Sequence, residues 1–142
     1  MPVALVVEDD PDHQNLLVIL LERAGFEVHA VANGTEAVPA AHDVRPDLMV
    51  LDWQLPGMAG LEVCRRLRAA PDTAGVAVLM VTAWVDNDVE KAMREACQAG
   101  ADDFILKPIN HHEFIARVLA LLDRYPASED GSGAARGAGK SS

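Results

Sequence analysis

Pro46-Asp47-Leu48-Met49-Val50-Leu51-Asp52-Trp53-Gln54-Leu55-Pro56-Gly57 is the stretch that decides how the chain is read. Its apolar run, Leu48 to Leu51, stops at one carboxylate, and a Pro-Gly turn signal follows shortly after. A short run that is apolar at every position reads as a strand buried on both faces, as in parallel sheets. Asp52 then stands at that strand's carboxyl end, the edge where open α/β sheets form their ligand crevice. Three other runs end similarly. Ala4-Leu5-Val6-Val7 meets Glu8-Asp9-Asp10, Val76-Ala77-Val78-Leu79-Met80-Val81 meets Thr82-Ala83, and Phe104-Ile105-Leu106 meets Lys107-Pro108. Laid parallel in one sheet, these strands bring four carboxylates, a hydroxyl and an ammonium to a single edge.

The 142 residues, half of them apolar and only 4% aromatic, suit one domain with a substantial core. No apolar run approaches the roughly 18–20 residues of a membrane span. Met1-Pro2-Val3 leads straight into a strand without a charged leader or cleavage site, so no signal peptide is read. Cys64 and Cys97 lack metal-ligand spacing and read as two reduced core thiols of a cytoplasmic protein. A net charge of −10 argues against nucleic-acid binding by this domain, because a phosphate backbone calls for a basic footprint. It suits a cation site or a surface that meets a basic partner.

In chain order, the first strand covers residues 3–7. Asp10 and Pro11 mark a helix start, as N-cap and first helical residue, and Gly25 marks its end. Residues 26–32 alternate (Phe26, Val28 and Ala30 against Glu27 and His29), which suits a strand nearer the sheet's edge. Asn33-Gly34 turns into a second helix over 35–44, where Pro39 predicts a kink or a later start, since proline inside a helix costs about 3 kcal/mol. After the third strand come a helix over 61–69, a loop over 71–75, the fourth strand, and a helix over 86–99 closed by Gly100. A short fifth strand, 103–106, precedes a last helix over 111–122 whose apolar face is Phe114, Ile115, Val118, Leu121 and Leu122. Residues 1–125 thus form the domain. Residues 126–142, rich in Gly, Ala and Ser, read as a flexible tail or linker stub. Five strands alternating with five helices, without internal repeats, give a doubly wound α/β fold.

The chemistry of the shared edge follows from its residue types. Glu8, Asp9, Asp10 and Asp52 repel one another if all are charged, so the cluster needs raised pKa values or a cation. A hard, oxygen-seeking Mg²⁺ fits it best. Thr82 and Lys107 supply a hydroxyl and a positive point charge suited to phosphoryl oxygens. A carboxylate facing a metal, a hydroxyl and a lysine is what an acyl-phosphate intermediate requires.

These residues in this order resemble the receiver domain of two-component response regulators. The resemblance covers about residues 2–124. It rests on the acidic cluster, Asp52 with Leu55-Pro56-Gly57 and Gly60, Thr82-Ala83, and Gly100-Ala101-Asp102-Asp103-Phe104 leading to Lys107-Pro108. It implies a CheY-like, flavodoxin-like (βα)5 three-layer sandwich with a parallel five-stranded sheet in the order 2-1-3-4-5. Asp52 matches the phosphoacceptor, Asp9 the direct Mg²⁺ ligand, and Glu8 the acid that reaches the metal through water. Gln54 would lend its backbone carbonyl to the metal. Lys107 matches the lysine that pairs with the phosphoryl group, and Pro108 implies a cis bond. Thr82, with the Ala83 amide beside it, matches the hydroxyl that moves toward the phosphoryl oxygens. Phe104 matches the switch aromatic that swings inward when Thr82 moves. The implied donor is a sensor histidine kinase or phosphotransfer protein, and the implied output face is the fourth helix, fifth strand and fifth helix.

The chain departs from the family pattern in three places. Phe104 carries no hydroxyl, so a signal must be read as a filled or emptied pocket. Trp84 and Gln54 stand where bulk shields the site and slows hydrolysis. The stretch from Thr82 to Gly100 is about one helical turn longer than usual. Asp103, Glu113 and Arg117 match part of a charged set that builds homodimers in some relatives, but the basic partner on the fourth helix has no clear counterpart. Among the remaining residues, Asp10 is N-cap, site member or both. His13, His29 and His42 read as surface residues, His111-His112 lacks a third ligand, Arg65, Arg66 and Arg68 read as a solvated face, and Trp53 as packing.

The residues speak against three other functions. A phosphohydrolase would want a second aspartate two residues after the nucleophile, where Gln54 stands, so at most slow self-dephosphorylation is expected. A flavin or nucleotide site would want a Gly/Ser/Thr-rich loop after the first strand, where Glu8-Asp9-Asp10 stands. A receiver acting by binding alone would not need the full acidic set with Thr82 and Lys107.

Overall fold

The computed structural model describes residues 1–83 and 88–124. The readings that rest on Trp84, on a fourth-helix start at 86 and on the tail 126–142 lie outside the described residues. Five parallel strands, β1 (Val3–Val7), β2 (Glu27–Val31), β3 (Leu48–Leu51), β4 (Ala77–Thr82) and β5 (Asp103–Leu106), form one sheet in the order β2-β1-β3-β4-β5. The helices are α1 (Pro11–Arg23), α2 (Gly34–Val44), α3 (Gly60–Ala69), α4 (Val89–Ala99) and α5 (His111–Arg124). No helix among the described residues is long and apolar enough to cross a membrane.

The continuous apolar runs become the central strands because both sheet faces are covered. Residues along a strand alternate between faces. Leu5, Val7, Met49, Leu51, Val78 and Met80 pack toward α2, α3 and α4, against Ala37, Ala41, Val63, Leu67 and Ala96. Ala4, Val6, Leu48, Val50, Ala77 and Leu79 pack toward α1 and α5, against Leu17, Leu21, Phe114, Val118 and Leu121. β2 sits at the sheet edge, as its pattern suggests, but the alternation fails at Ala30, which is exposed, while His29 is half-buried.

Helix ends follow their cap chemistry. Asp10 accepts the Asp12 amide and Pro11 opens α1. Gly100, at φ 110°, closes α4 as a left-handed C-cap, and Asp88 caps its start. The later start foreseen for the second helix is overturned: Asn33 accepts the Glu36 amide and α2 begins at Gly34 and runs through Pro39. Pro39 is the sixth of the eleven residues of α2, and its missing amide forfeits one bond, to the Thr35 carbonyl, without ending the helix. Gly34 is required for contact rather than flexibility. A Cβ there would lie 1.7 Å from the Met58 carbonyl oxygen, and the Gly34 amide donates to the Pro56 carbonyl at 3.0 Å. The loop after β3 is thereby held against the start of α2.

Two side chains differ from expectation, Arg68 and Cys97. Arg65 and Arg66 are exposed and pair with Glu62, but Arg68 is a structural hub. Its guanidinium donates to the carbonyls of Ala74, Val76 and Gly100 and to Asp102 Oδ2 at 2.9 Å, while Asp102 Oδ2 also accepts the Val78 amide. A planar fork of five donors can join α3 to the starts of β4 and β5 in one stroke. Cys64 is buried, its thiol pushed up to about 11 by burial, whereas Cys97 is exposed and not a core thiol. Because α4 is amphipathic, Ala92, Ala96 and Ala99 take its inner face and turn Cys97 outward.

Arg68→Met is expected to lower stability by about 2–3 kcal/mol, since it strips charged donors from several carbonyls and from Asp102. Arg65→Met should stay within about 0.5 kcal/mol of the native chain. Urea unfolding of the two variants checks the contrast.

Candidate functional site

Parallel pairing puts the carboxyl ends of all five strands on one edge, and four of the expected site residues follow directly from strand ends. Glu8 follows β1, Asp52 follows β3, Thr82 ends β4 and Lys107 follows β5. Backbone bonds set their depth. The Glu8 amide donates to the Val31 carbonyl at 3.2 Å, the Asp52 amide to Val7 at 3.1 Å and the Lys107 amide to Thr82 at 2.8 Å. Gly60 lets the following helix close over the site, because a Cβ there would lie 2.2 Å from the Asp52 carbonyl oxygen.

Lys107 Nζ lies between two buried carboxylates, 2.9 Å from Glu8 Oε1 and 3.0 Å from Asp52 Oδ2. Glu8 is only 1% exposed and Asp52 6%. Burial raises the Asp52 pKa above the ordinary aspartate value; the Lys107 bond opposes the rise without cancelling it, and the Glu8 charge adds to it. For Lys107 burial acts downward, but the bonds to Glu8 and Asp52, with their charges, outweigh it and the pKa is raised. The lysine is thus held charged beside a carboxylate that is harder to ionise than usual.

Asp9 is exposed at the mouth of the site. Glu8, Asp9 and Asp52 each offer a carboxylate oxygen, and these lie within 4.8 Å of one another. All-oxygen donors at that spread fit a hard cation such as Mg²⁺, whose bonds of about 2.1 Å admit two direct ligands with a third reached through water. Asp52 Oδ1 accepts the Gln54 amide at 3.2 Å, which folds the loop back over the carboxylate. Asp10 stands apart from the acidic oxygens as the α1 cap, although its amide donates to Glu8 Oε2 at 3.1 Å.

Thr82 is fully buried, and its Oγ1 has no hydrogen-bond partner among the described residues. A buried hydroxyl left unpaired costs about 1–3 kcal/mol, so its retention calls for a reason. Phe104 is turned inward, 8% exposed, with its ring edge-on to Trp53 at 5.9 Å between centroids. Trp53 therefore packs, as read from the sequence. The Lys107-Pro108 bond is cis, as the resemblance implies. Arg117 donates to Asp103 Oδ1 at 2.7 Å, to the Phe104 carbonyl at 3.1 Å and to Glu113 Oε2 at 3.0 Å, so the three charges are paired within one chain.

His13, expected at the surface, is instead drawn into the site. Its Nδ1 lies 2.9 Å from Glu8 Oε1, and its side chain is only 17% exposed. The available signal was its place: with Asp10 as N-cap, His13 is the third helical residue, whose side chain turns back toward the cap. His42 is likewise engaged, with Asp72 at 2.5 Å across from α2 to the loop after α3.

The sequence and fold have close counterparts. The family model for the response regulator receiver domain matches residues 4–119. The DNA-binding response regulator MtrA of Mycolicibacterium smegmatis is 43% identical over 121 residues, 84% of this chain and 50% of the relative. The chain thus spans about half the length of this curated relative. The signal receiver domain of a signal transduction histidine kinase from Syntrophus aciditrophicus superposes with a TM-score of 0.78 at 34% identity, over 87% of this chain and 91% of that one. The receiver domain of a sensor histidine kinase from Pseudomonas aeruginosa, with a magnesium ion coordinated in its active site cleft, gives 0.76 at 27%, over 86% and 98%. Carboxylates, lysine and threonine gathered at the end of a five-stranded parallel sheet in the order 2-1-3-4-5 agree with that likeness, and this chain belongs to the response regulator receiver domain family, the CheY-like signalling modules of two-component systems.

Proposed function

We propose that this receiver works as a phosphoacceptor in a phosphorelay, with Asp52 as the acceptor. The observation that carries the reading is the Lys107 ammonium bonded at once to Asp52 and Glu8, beside Asp9. In the proposed step an Asp52 carboxylate oxygen attacks the phosphorus of a phosphohistidine on a sensor kinase or phosphotransfer protein. The P–N bond breaks, and its electron pair leaves with the imidazole, which takes a proton from solvent. Lys107 pairs with the phosphoryl oxygens, the Ala83 amide donates to them, and the buried Thr82 hydroxyl turns to meet them. Asp9 and Asp52 with the Gln54 backbone carbonyl would hold Mg²⁺, and Glu8 would reach it through water. The metal, when bound, offsets the negative charge gathering on the transferred group.

Displacement of Thr82 alters the space beside Phe104, and the change is read on α4, β5 and α5. In support, a groove of about 140 Å³ between α4 and β5 is lined by Met93, Ala96, Cys97 and Phe104. The downstream effector docks on this face, which is also the candidate surface for a homodimer. Residues 1–125 constitute the receiver and 126–142 a tail or linker, and the acidic charge speaks against direct nucleic-acid contact by this domain. The module acts in the cytoplasm as a signalling element and not as a turnover enzyme, because Gln54 offers no general acid. Gln54 and Trp84 slow loss of the phosphoryl group by screening it from water.

Incubation with Mg²⁺ and acetyl phosphate should add one phosphoryl group to the native chain, seen by intact mass, and none to Asp52→Ala; an adduct on both would move the acceptor elsewhere. The pH sign follows from the raised Asp52 pKa. A carboxyl whose pKa rises on folding lowers stability once ionised, and the penalty fades as pH falls through the raised value. Asp52→Asn should therefore raise the metal-free melting temperature at neutral pH, with the gain shrinking in acid; thermal melts across pH check it. Trp84→Ala should shorten the phosphoryl lifetime by about threefold or more, roughly 0.7 kcal/mol of barrier. An unchanged decay of the phosphorylated mass would remove the screening role.

A further inference from the structure

We infer that His13 is a positioning residue for phosphoryl transfer: it holds Glu8 from α1 so that Lys107 can be given over to the phosphoryl group on Asp52. The inference rests on the reading of Asp52 as acceptor. Glu8 lies almost wholly out of water, and its Oε1 accepts two donors at 2.9 Å, Lys107 Nζ and His13 Nδ1. Oε2 accepts the Asp10 amide at 3.1 Å. Lys107 is meanwhile shared with Asp52 at 3.0 Å.

A phosphoryl group adds about −1.5 to −2 charge and three strong acceptor oxygens. The Lys107 ammonium has three donors, and the new charge competes for all of them. Each bond drawn away from Glu8 would leave a buried carboxylate oxygen short of a donor, which opposes the hand-over. His13 supplies a donor on that same oxygen from a different element, so Glu8 stays bonded while Lys107 turns. Its mount is rigid. Gln14, the next residue, donates from one amide nitrogen to the carbonyls of Glu8 at 3.0 Å and Val31 at 3.1 Å, tying the first turn of α1 to the ends of β1 and β2. Donation needs a proton on Nδ1, which the corresponding neutral tautomer and the cation both provide.

The test compares native chain, His13→Leu, His13→Ala and His13→Asn, whose side-chain nitrogen falls near the place of Nδ1. Two quantities are read: the rate of phosphoryl uptake from acetyl phosphate at saturating Mg²⁺, and the Mg²⁺ dissociation constant from tryptophan fluorescence. Removing the donor should slow uptake about tenfold, the kinetic weight of part of a bond to a buried charge. Mg²⁺ affinity should stay within about twofold, because Glu8 meets the metal only through water. His13→Asn should restore the rate. Where leucine does not fit the first turn, His13→Ala carries the same comparison. Uptake at the native rate in the donorless variants overturns the inference. So does a defect that more Mg²⁺ repairs, which would place His13 in metal affinity, or a His13→Asn as slow as His13→Leu, which would make shape the cause. A native chain that binds Mg²⁺ but takes no phosphoryl group would instead fell the acceptor reading, and this inference with it.

Discussion

A single ammonium, Lys107 Nζ, stands between two carboxylates that the sheet has taken out of water, and the rest of the site is arranged around that contact. Burying charge is costly unless it is paired and hydrogen-bonded, and breaking such a pair costs more than forming it returns. The three groups therefore hold one another in register, although they come from positions far apart in the chain. The parallel sheet makes this feasible. It delivers the ends of β1, β3 and β5 to one edge with their backbone bonds already made, so the side chains alone are left to satisfy one another.

That edge is also where the fold tolerates unsatisfied chemistry. The Thr82 hydroxyl is buried without a partner among the described residues, the Asp52 pKa is raised, and three acidic oxygens crowd within 4.8 Å. Each feature works against the stability of the metal-free chain, and under the proposed function each would become favourable on binding a cation and phosphoryl oxygens. Conflicts between local preference and the global fold tend to collect at functional sites, and here they collect at one. Away from it, Arg68 gathers three carbonyls and one carboxylate into one clamp.

Phe104 and Trp53 connect this edge to the surface. Their edge-on rings lie beside the apolar face that α4 turns inward with alanines. The inner face of α4 is built of small residues, Ala92, Ala96 and Ala99, and the proposed switching would act on this element. The charges of Asp103, Glu113 and Arg117 meet within one chain, so a second copy would have to compete with bonds already formed.

The amino-acid sequence by itself determined the element order, the parallel sheet and the strand ends that supply Glu8, Asp52, Thr82 and Lys107. Those features depend on local apolar runs and on the residue that ends each one, and both are visible in a line of text. Cap residues were legible for the same reason at Asp10 and Gly100, whereas Asn33, read as a turn, is the α2 N-cap. What only the tertiary structure decided concerns side chains long enough to reach across elements. Arg68 looked like part of a solvated face and became a clamp, His13 looked exposed and became a partner of Glu8, and Cys97 looked internal and faces outward. In each case the outcome rests on which face of a helix meets a neighbour and on what that neighbour presents within about 3 Å, the reach of a hydrogen bond. Pro39 belongs with them: its local penalty is real, but the packing of Ala37 and Ala41 and the contact at Gly34 outweigh it.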